Sequence, residues 1–168
     1  SWFRLGHNFE IPEAGATLNF WNSFSIEADW DYGYVEVYDI DADEWYTLSG
    51  LKTVSTLPNA EDNNNPNCPD EVEPLSYDNA GRWNAFTGDS GGMYTEVMDL
   101  TPFAGHNITL YFTYWSDGFV LGSGWYIDDI AIPEMNYLYD VEEADPSWTV
   151  NMGWHRNDEF AYNNFEVN

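Results

Sequence analysis

At 168 residues the chain is long enough for one domain with a two-layer core, and its 18% aromatic content argues against disorder. Four basic residues, Arg4, Lys52, Arg82 and Arg156, stand against 30 acids, giving a formal charge of −26. That excludes ordinary nucleic-acid binding, which requires cationic neutralisation of phosphates, and disfavours adsorption to anionic membranes. Such a surface repels itself unless counter-ions are present, so calcium-rich or salty surroundings are expected, and the scarcity of lysine fits a halophilic or marine source. Cys68 is the sole cysteine, so no internal disulfide can form, and it reads as a bystander thiol. No apolar run approaches membrane-spanning length, which predicts no membrane insertion. There is no leader at Ser1-Trp2; the sequence reads as a mature product or an excised piece, so this does not argue against export.

In chain order, residues 1–11 carry Trp2, Phe3, Leu5, Phe9 and Ile11, a first strand or strand pair, and Pro12–Gly15 is a turn. Residues 16–27 alternate Leu18 and Phe20 against Thr17, Asn19 and Trp21, a strand expected to bend near Asn22-Ser23. Val35 and Val37 alternate with Tyr34, Glu36 and Tyr38 in the next strand. A polar turn, Asp39–Glu44, then leads to Trp45–Leu48, which together read as a hairpin. The DxDxD spacing of that turn has the outline of a calcium loop, but Glu44 stands where the loop needs glycine and Gly50 where it needs glutamate; a solvated acidic turn is expected instead.

Residues 58–92 are irregular and rich in Asn, Asp, Pro and Gly, with Arg82, Trp83 and Phe86 expected to pin their second half to the body. Tyr94–Leu100 is a strand. Asn107–Trp115 is the clearest one, with Ile108, Leu110, Phe112 and Tyr114 inward and Thr109, Tyr111, Thr113 and Trp115 outward. Asn107-Ile108-Thr109 is also a possible glycosylation sequon. Gly124–Ile132 is the strand around which the rest is arranged: period two places Tyr126, Asp128, Ile130 and Ile132 on one face, so Asp128 is expected to turn inward with Ile130. A carboxylate there must be neutralised, hydrogen-bonded or bound to a cation. Short strands at regular spacing, with no convincing helix period, predict an all-β fold: an antiparallel β-sandwich of jelly-roll type with little helix, over residues 1–135. After Pro133 the character shifts, and residues 136–168 are expected to dock as extra strands, in cis or in trans, or to begin a following module.

Four elements now stand in order: ATLNF from Ala16, IEADWDYGYVEV from Ile26 with Trp45 after it, DLTPFAG from Asp99 ahead of ITLYFTYWSD, and GWYIDDIAI from Gly124. This series resembles the jelly-roll modules downstream of the catalytic domain in immune inhibitor A-like metallopeptidases, which are similar to MAM and reelin-repeat jelly rolls. Asp140-Val141-Glu142, Trp148-Thr149 and Gly153-Trp154 are similar to the segment that follows the module in those proteases. One departure is Asp39–Glu44, which replaces the family's Ser-x-Asp-Gly-Gly turn. The resemblance implies an extracellular accessory module, secreted or at a cell surface.

HExxH does not occur, and His7, His106 and His155 form no zinc motif, so no zinc is expected. Gly88–Gly92 (GDSGG) has the spacing of a serine nucleophile loop, but the chain lacks the rest of such a fold's pattern; the stretch reads as a Gly-rich turn, and the chain reads as non-catalytic. Structural calcium is the best-motivated ligand, because calcium takes about six to eight hard oxygens. Its expected ligands are Glu27 and Asp31, from the Ile-Glu-x-x-x-Asp-Tyr element of the resemblance, with Asp128 and Asp129 from its paired aspartates; Glu27 has an alternative role as an arginine partner. Trp21, Trp30 and Trp115, on outward positions, are a candidate sugar platform, with packing under loops as the alternative. Expected partners are neighbouring domains of a larger chain, identical subunits or surface polysaccharide. The function classes left open are a module accessory to a secreted metallopeptidase, a repeat or subunit of a surface adhesin, layer or filament, and a carbohydrate-binding module.

Overall fold

A computed structural model describes residues 2–55, 84–116, 119–150, 153–157 and 164–167. Eleven strands account for most of them: β1 Trp2–Glu10, β2 Thr17–Ser25, β3 Tyr32–Asp39, β4 Glu44–Thr47, β5 Tyr94–Asp99, β6 Asn107–Trp115, β7 Gly124–Ile132, β8 Tyr137–Tyr139, β9 Thr149–Val150, β10 His155–Asn157 and β11 Asn164–Val167. Their pairings are all antiparallel and form two sheets. The first has the order β4-β3-β6-β1-β9; the second has β10-β11-β7-β2-β5, with β8 also paired to β7. The protein is therefore an all-β sandwich of jelly-roll type. Cys68, Arg82 and Trp83 lie outside the described residues.

Alternation explains the core. Ile108, Leu110, Phe112 and Tyr114 of β6 are buried and face Leu18, Phe20, Ile127 and Ile130 of the second sheet, with Phe20 and Phe112 meeting edge to face at 5.0 Å. Phe86 is fully buried between Phe24 and Trp125, so residues 84–86 are pinned to the body as expected. Each such side chain contributes about 1.5–3 kcal/mol on leaving water.

Three expectations need correction. Thr113, placed outward by period two, is fully buried: it lies on the outer face of the first sheet but donates its hydroxyl to Glu36, itself fully buried and bridged by Arg4 at 3.1 Å. β2 keeps its alternation through Asn22-Ser23, where the bend is expected, and the irregularity lies in its register with β7, which shifts between Asn19 and Trp21. Opposite Phe20, the single β2 residue between Asn19 and Trp21, β7 has two, because Asn19 pairs with Ala131 and Trp21 with Asp128. This is a β-bulge, with Asp129 at φ 46°, and it switches the faces of the strand. Trp125 and Ile127 point inward before it, Ile130 and Ile132 after it. Asp128 consequently does not turn inward with Ile130; it lies opposite the exposed Trp21 on the outer side and is half-buried.

The last strands join both sheets. β9 extends the first sheet beyond β1, and β11 pairs with β7 at Ile127–Trp125. Because β2 occupies one edge of β7, β8 and β11 lie end to end along the other, on either side of the bulge. Trp148, Trp154, Phe165 and Val167 are buried, and Trp154 Nε1 donates to the Phe3 carbonyl at 3.1 Å. Apolar surface from the last thirty residues therefore becomes part of the sandwich core.

Candidate functional site

Glu27 and Asp31 come from the turn between β2 and β3. Asp31 N–H donates to the Glu27 carbonyl at 3.0 Å, a one-turn wrap that places both carboxylates on the same short loop. Thr87 fastens it: its hydroxyl donates to the Asp31 carbonyl at 2.9 Å and accepts from Asp29 N–H at 2.8 Å. Asp29 adopts φ 65°, a left-handed conformation that aspartate tolerates better than most residues. The Asp31 carboxylate is fully buried and accepts the Tyr114 hydroxyl at 3.1 Å, while Glu27 Oε2 is also withdrawn from solvent. The two side chains and the loop carbonyls offer oxygen, the donor type that a hard cation selects.

Asp128 and Asp129 belong elsewhere. The pairing of Ser25 with Gly124 and of Trp21 with Asp128 puts Asp128 four residues along the ladder from Ser25, roughly 13 Å, and Glu27 lies two residues further still. The four expected calcium ligands therefore divide into two pairs. The bulge pair has acidic company: burial first, then Asp129, Glu142 and Asp140, push the Asp128 carboxyl up to about 6, against the partial offset of the Asp129 N–H at 2.7 Å. Asp129 is likewise raised, by burial and then by Asp140 and Glu142. Arg156 reaches this region and donates to the carbonyls of Val141 and Glu142, at 3.2 Å each.

The three tryptophans do not form one platform. Trp21 is exposed on the outer face of the second sheet and Trp30 is exposed on the Glu27–Asp31 turn; Trp115 packs beside Tyr32, Tyr34 and Ala85 on the first sheet. Asn107 is exposed at the start of β6, with its N–H donated to the Asp41 carboxylate at 2.8 Å.

Two features were missed in the sequence. The hairpin turn is not wholly solvated: Asp39 is buried, accepts Asp41 and Ala42 N–H at 3.1 Å each, and meets His106 Nδ1 at 2.6 Å. That hydrogen bond is the main reason the His106 imidazolium is held to higher pH than usual. Asp39, Asp41 and His106 gather within 4.8 Å, a spacing that would admit a metal ion. The second is an aromatic group on the outer face of the first sheet, Tyr38, Trp45 and Tyr111, with ring centroids 4.9 Å and 5.6 Å apart in that order.

No family model matches the chain. Over 126 residues, 74% of its length, it is 28% identical to Bacillopeptidase F of Bacillus subtilis (strain 168), and the matched part spans 6% of that relative. Among the described residues no helix is long and apolar enough to cross a membrane.

Proposed function

We propose that the chain is a non-catalytic extracellular module, accessory to a secreted peptidase and stabilised by calcium. One observation carries the first half: most of this sandwich corresponds to a small fraction of a peptidase. A part of that size, with no HExxH and with Ser90 of its GDSGG stretch buried and hydrogen-bonded to the backbone of Phe24 and Gly92, suits attachment or stability better than bond cleavage. The purified chain is expected to release no peptides from casein. Hydrolysis that survives repurification and disappears in a point variant of this chain overturns that part of the reading.

The calcium half rests on Glu27 and Asp31, which would hold the ion between them and the carbonyls of their turn. The ion would add positive charge beside the fully buried Asp31 carboxylate. At a hundredfold excess over Kd, binding to the folded state alone adds about 2.7 kcal/mol. Melting temperature should rise with calcium, fall on chelation and lose the response in Asp31→Asn. Sodium at matched ionic strength is the control, because screening of the −26 charge also raises stability. Equal effects of calcium and matched sodium would remove the ion from the proposal.

A second reading, a subunit of a surface assembly, is favoured by the loop between β6 and β7. Phe119, Val120 and Leu121 are 89%, 55% and 64% exposed in succession. Consecutive exposed apolar side chains mark a contact surface. Light scattering that finds a concentration-dependent oligomer, dissolved by Phe119→Ser with Leu121→Ser, supports assembly; a monomer at every concentration removes it.

A further inference from the structure

The outer face of the first sheet carries two rows set by strand register. Trp45, Tyr38, Thr109 and Asn8 lie side by side across β4, β3, β6 and β1. In the next row, Glu36, Tyr111, Gly6 and Thr149 run across β3, β6, β1 and β9. Aromatic rings thus occupy one side of the face, with hydroxyls and an amide on the other.

The rings are held in place. Tyr111 leans over Gly6, where a Cβ would sit 2.6 Å from its ring carbons, so only glycine leaves room for it. The planes of Tyr111 and Trp45 are 18° apart. The Arg4 guanidinium, anchored on buried Glu36, lies 5.2 Å from the Trp45 centroid and 5.6 Å from that of Tyr111. Beside Tyr111 opens a cleft of about 300 Å³, bounded by Asn8, Thr109, Ser147 and Thr149. The Thr109 hydroxyl donates to Asn8 Oδ1 at 2.7 Å, which orients the Asn8 amide nitrogen as a donor.

The charge of the cleft sets it apart. Although 30 of 168 residues are acidic, among the described residues none lines it; His7 and Tyr111 are the ionisable residues along it. An apolar ligand would strand the hydroxyl and amide groups without hydrogen bonds. A nucleobase could stack on the rings, but its phosphates would meet a protein of charge −26. A neutral sugar satisfies both halves of the cleft, with a C–H face against the Tyr111 ring and hydroxyls for Asn8, Thr109 and Thr149. We infer that this cleft binds an uncharged polysaccharide, stacked on Tyr111 and hydrogen-bonded by Asn8 and Thr109. This stands independently of the peptidase and calcium readings.

The test is calorimetric titration of the full chain with maltohexaose, cellohexaose, xylohexaose and chitohexaose, with polygalacturonate as the charged probe. At least one neutral oligosaccharide is expected to bind at millimolar Kd or tighter. Tyr111→Ala should weaken it tenfold or more and Asn8→Ala severalfold, while Trp21→Ala and Trp30→Ala leave it unchanged. Because Tyr111 packs on Gly6 and its loss could disturb folding, Asn8→Ala, at an exposed position, carries the test if Tyr111→Ala unfolds. Failure of all four neutral probes, tighter binding of polygalacturonate, or binding indifferent to Asn8→Ala overturns the inference.

Discussion

Replacing Trp148 with alanine tests whether the last thirty residues are structurally part of the sandwich. Trp148 is 4% exposed and lies among the rings of His7, Phe9, Phe112, Tyr139 and Phe165, so it bridges the tail and both sheets. Its Nε1 donates to the Tyr137 hydroxyl at 2.9 Å. Burying roughly 200 Å² of an indole at about 25 cal/mol per Å² gives ~5 kcal/mol. Residual burial in the unfolded chain lowers that to about 3–4.5 kcal/mol, within the range of about 3–5 for Trp→Ala in cores. For a chain of this size the expected loss is roughly 6–18 °C in Tm, read by urea and thermal denaturation. Trp148→Phe keeps most of the area but loses the hydrogen bond, so it should cost about 1–2 kcal/mol. A Tm shift under about 3 °C for Trp148→Ala would refute the reasoning and leave the tail loosely attached. A large shift accompanied by a change of oligomeric state would place the contact between chains.

Asp128→Asn should raise stability at neutral pH. The folded carboxyl is pushed up to about 6, so the stability linked to its protonation is full below the unfolded value of about 3.9 and is lost as pH rises through about 6. Urea midpoints at pH 7 measure the gain, and a loss seen only with calcium present would instead put a cation on Asp128. His106 runs with the same sign: held high by Asp39, it contributes stability below the unfolded pKa of about 6.5, lost as pH rises through the folded value. His106→Ala should flatten that slope, and parallel pH profiles would contradict it. Glu96 is fully buried and accepts Leu51, Lys52 and Val97 N–H together with the Tyr94 hydroxyl; Glu96→Ala should cost about 3 kcal/mol or more, against a smaller cost for Glu96→Gln in the same denaturation assay. Asp129→Gly should be neutral or stabilising by up to about 1 kcal/mol, because glycine takes φ 46° without strain, and Asp129→Val should destabilise.

The strands were legible because alternation is a local property, and β6 shows it with four inward residues at period two. The bulge in β7 had a signal that strict alternation overrode: Trp125, Ile127, Ile130 and Ile132 break step by one residue at Asp128-Asp129. Placing Asp128 beside Ile130 followed from reading through that break. The four carboxylates could not be separated from sequence, since their spacing depends on which β2 residue faces which β7 residue. The same limit hid the meeting of Trp45 with Tyr111, which lie far apart in the chain.

The position of β1 has a kinetic side. It is an inner strand, yet its partner β6 lies about a hundred residues later, from Glu10 with Asn107 to Trp2 with Trp115, and its other neighbour, β9, is later still. During synthesis the first strand must wait, with Phe3, Leu5 and Phe9 uncovered, until most of the chain has emerged. Such a topology folds slowly and passes through states that invite aggregation. The acids distributed along the sequence carry their charge in that interval too, and mutual repulsion opposes the association of half-made chains before any core exists to hide their aromatic residues.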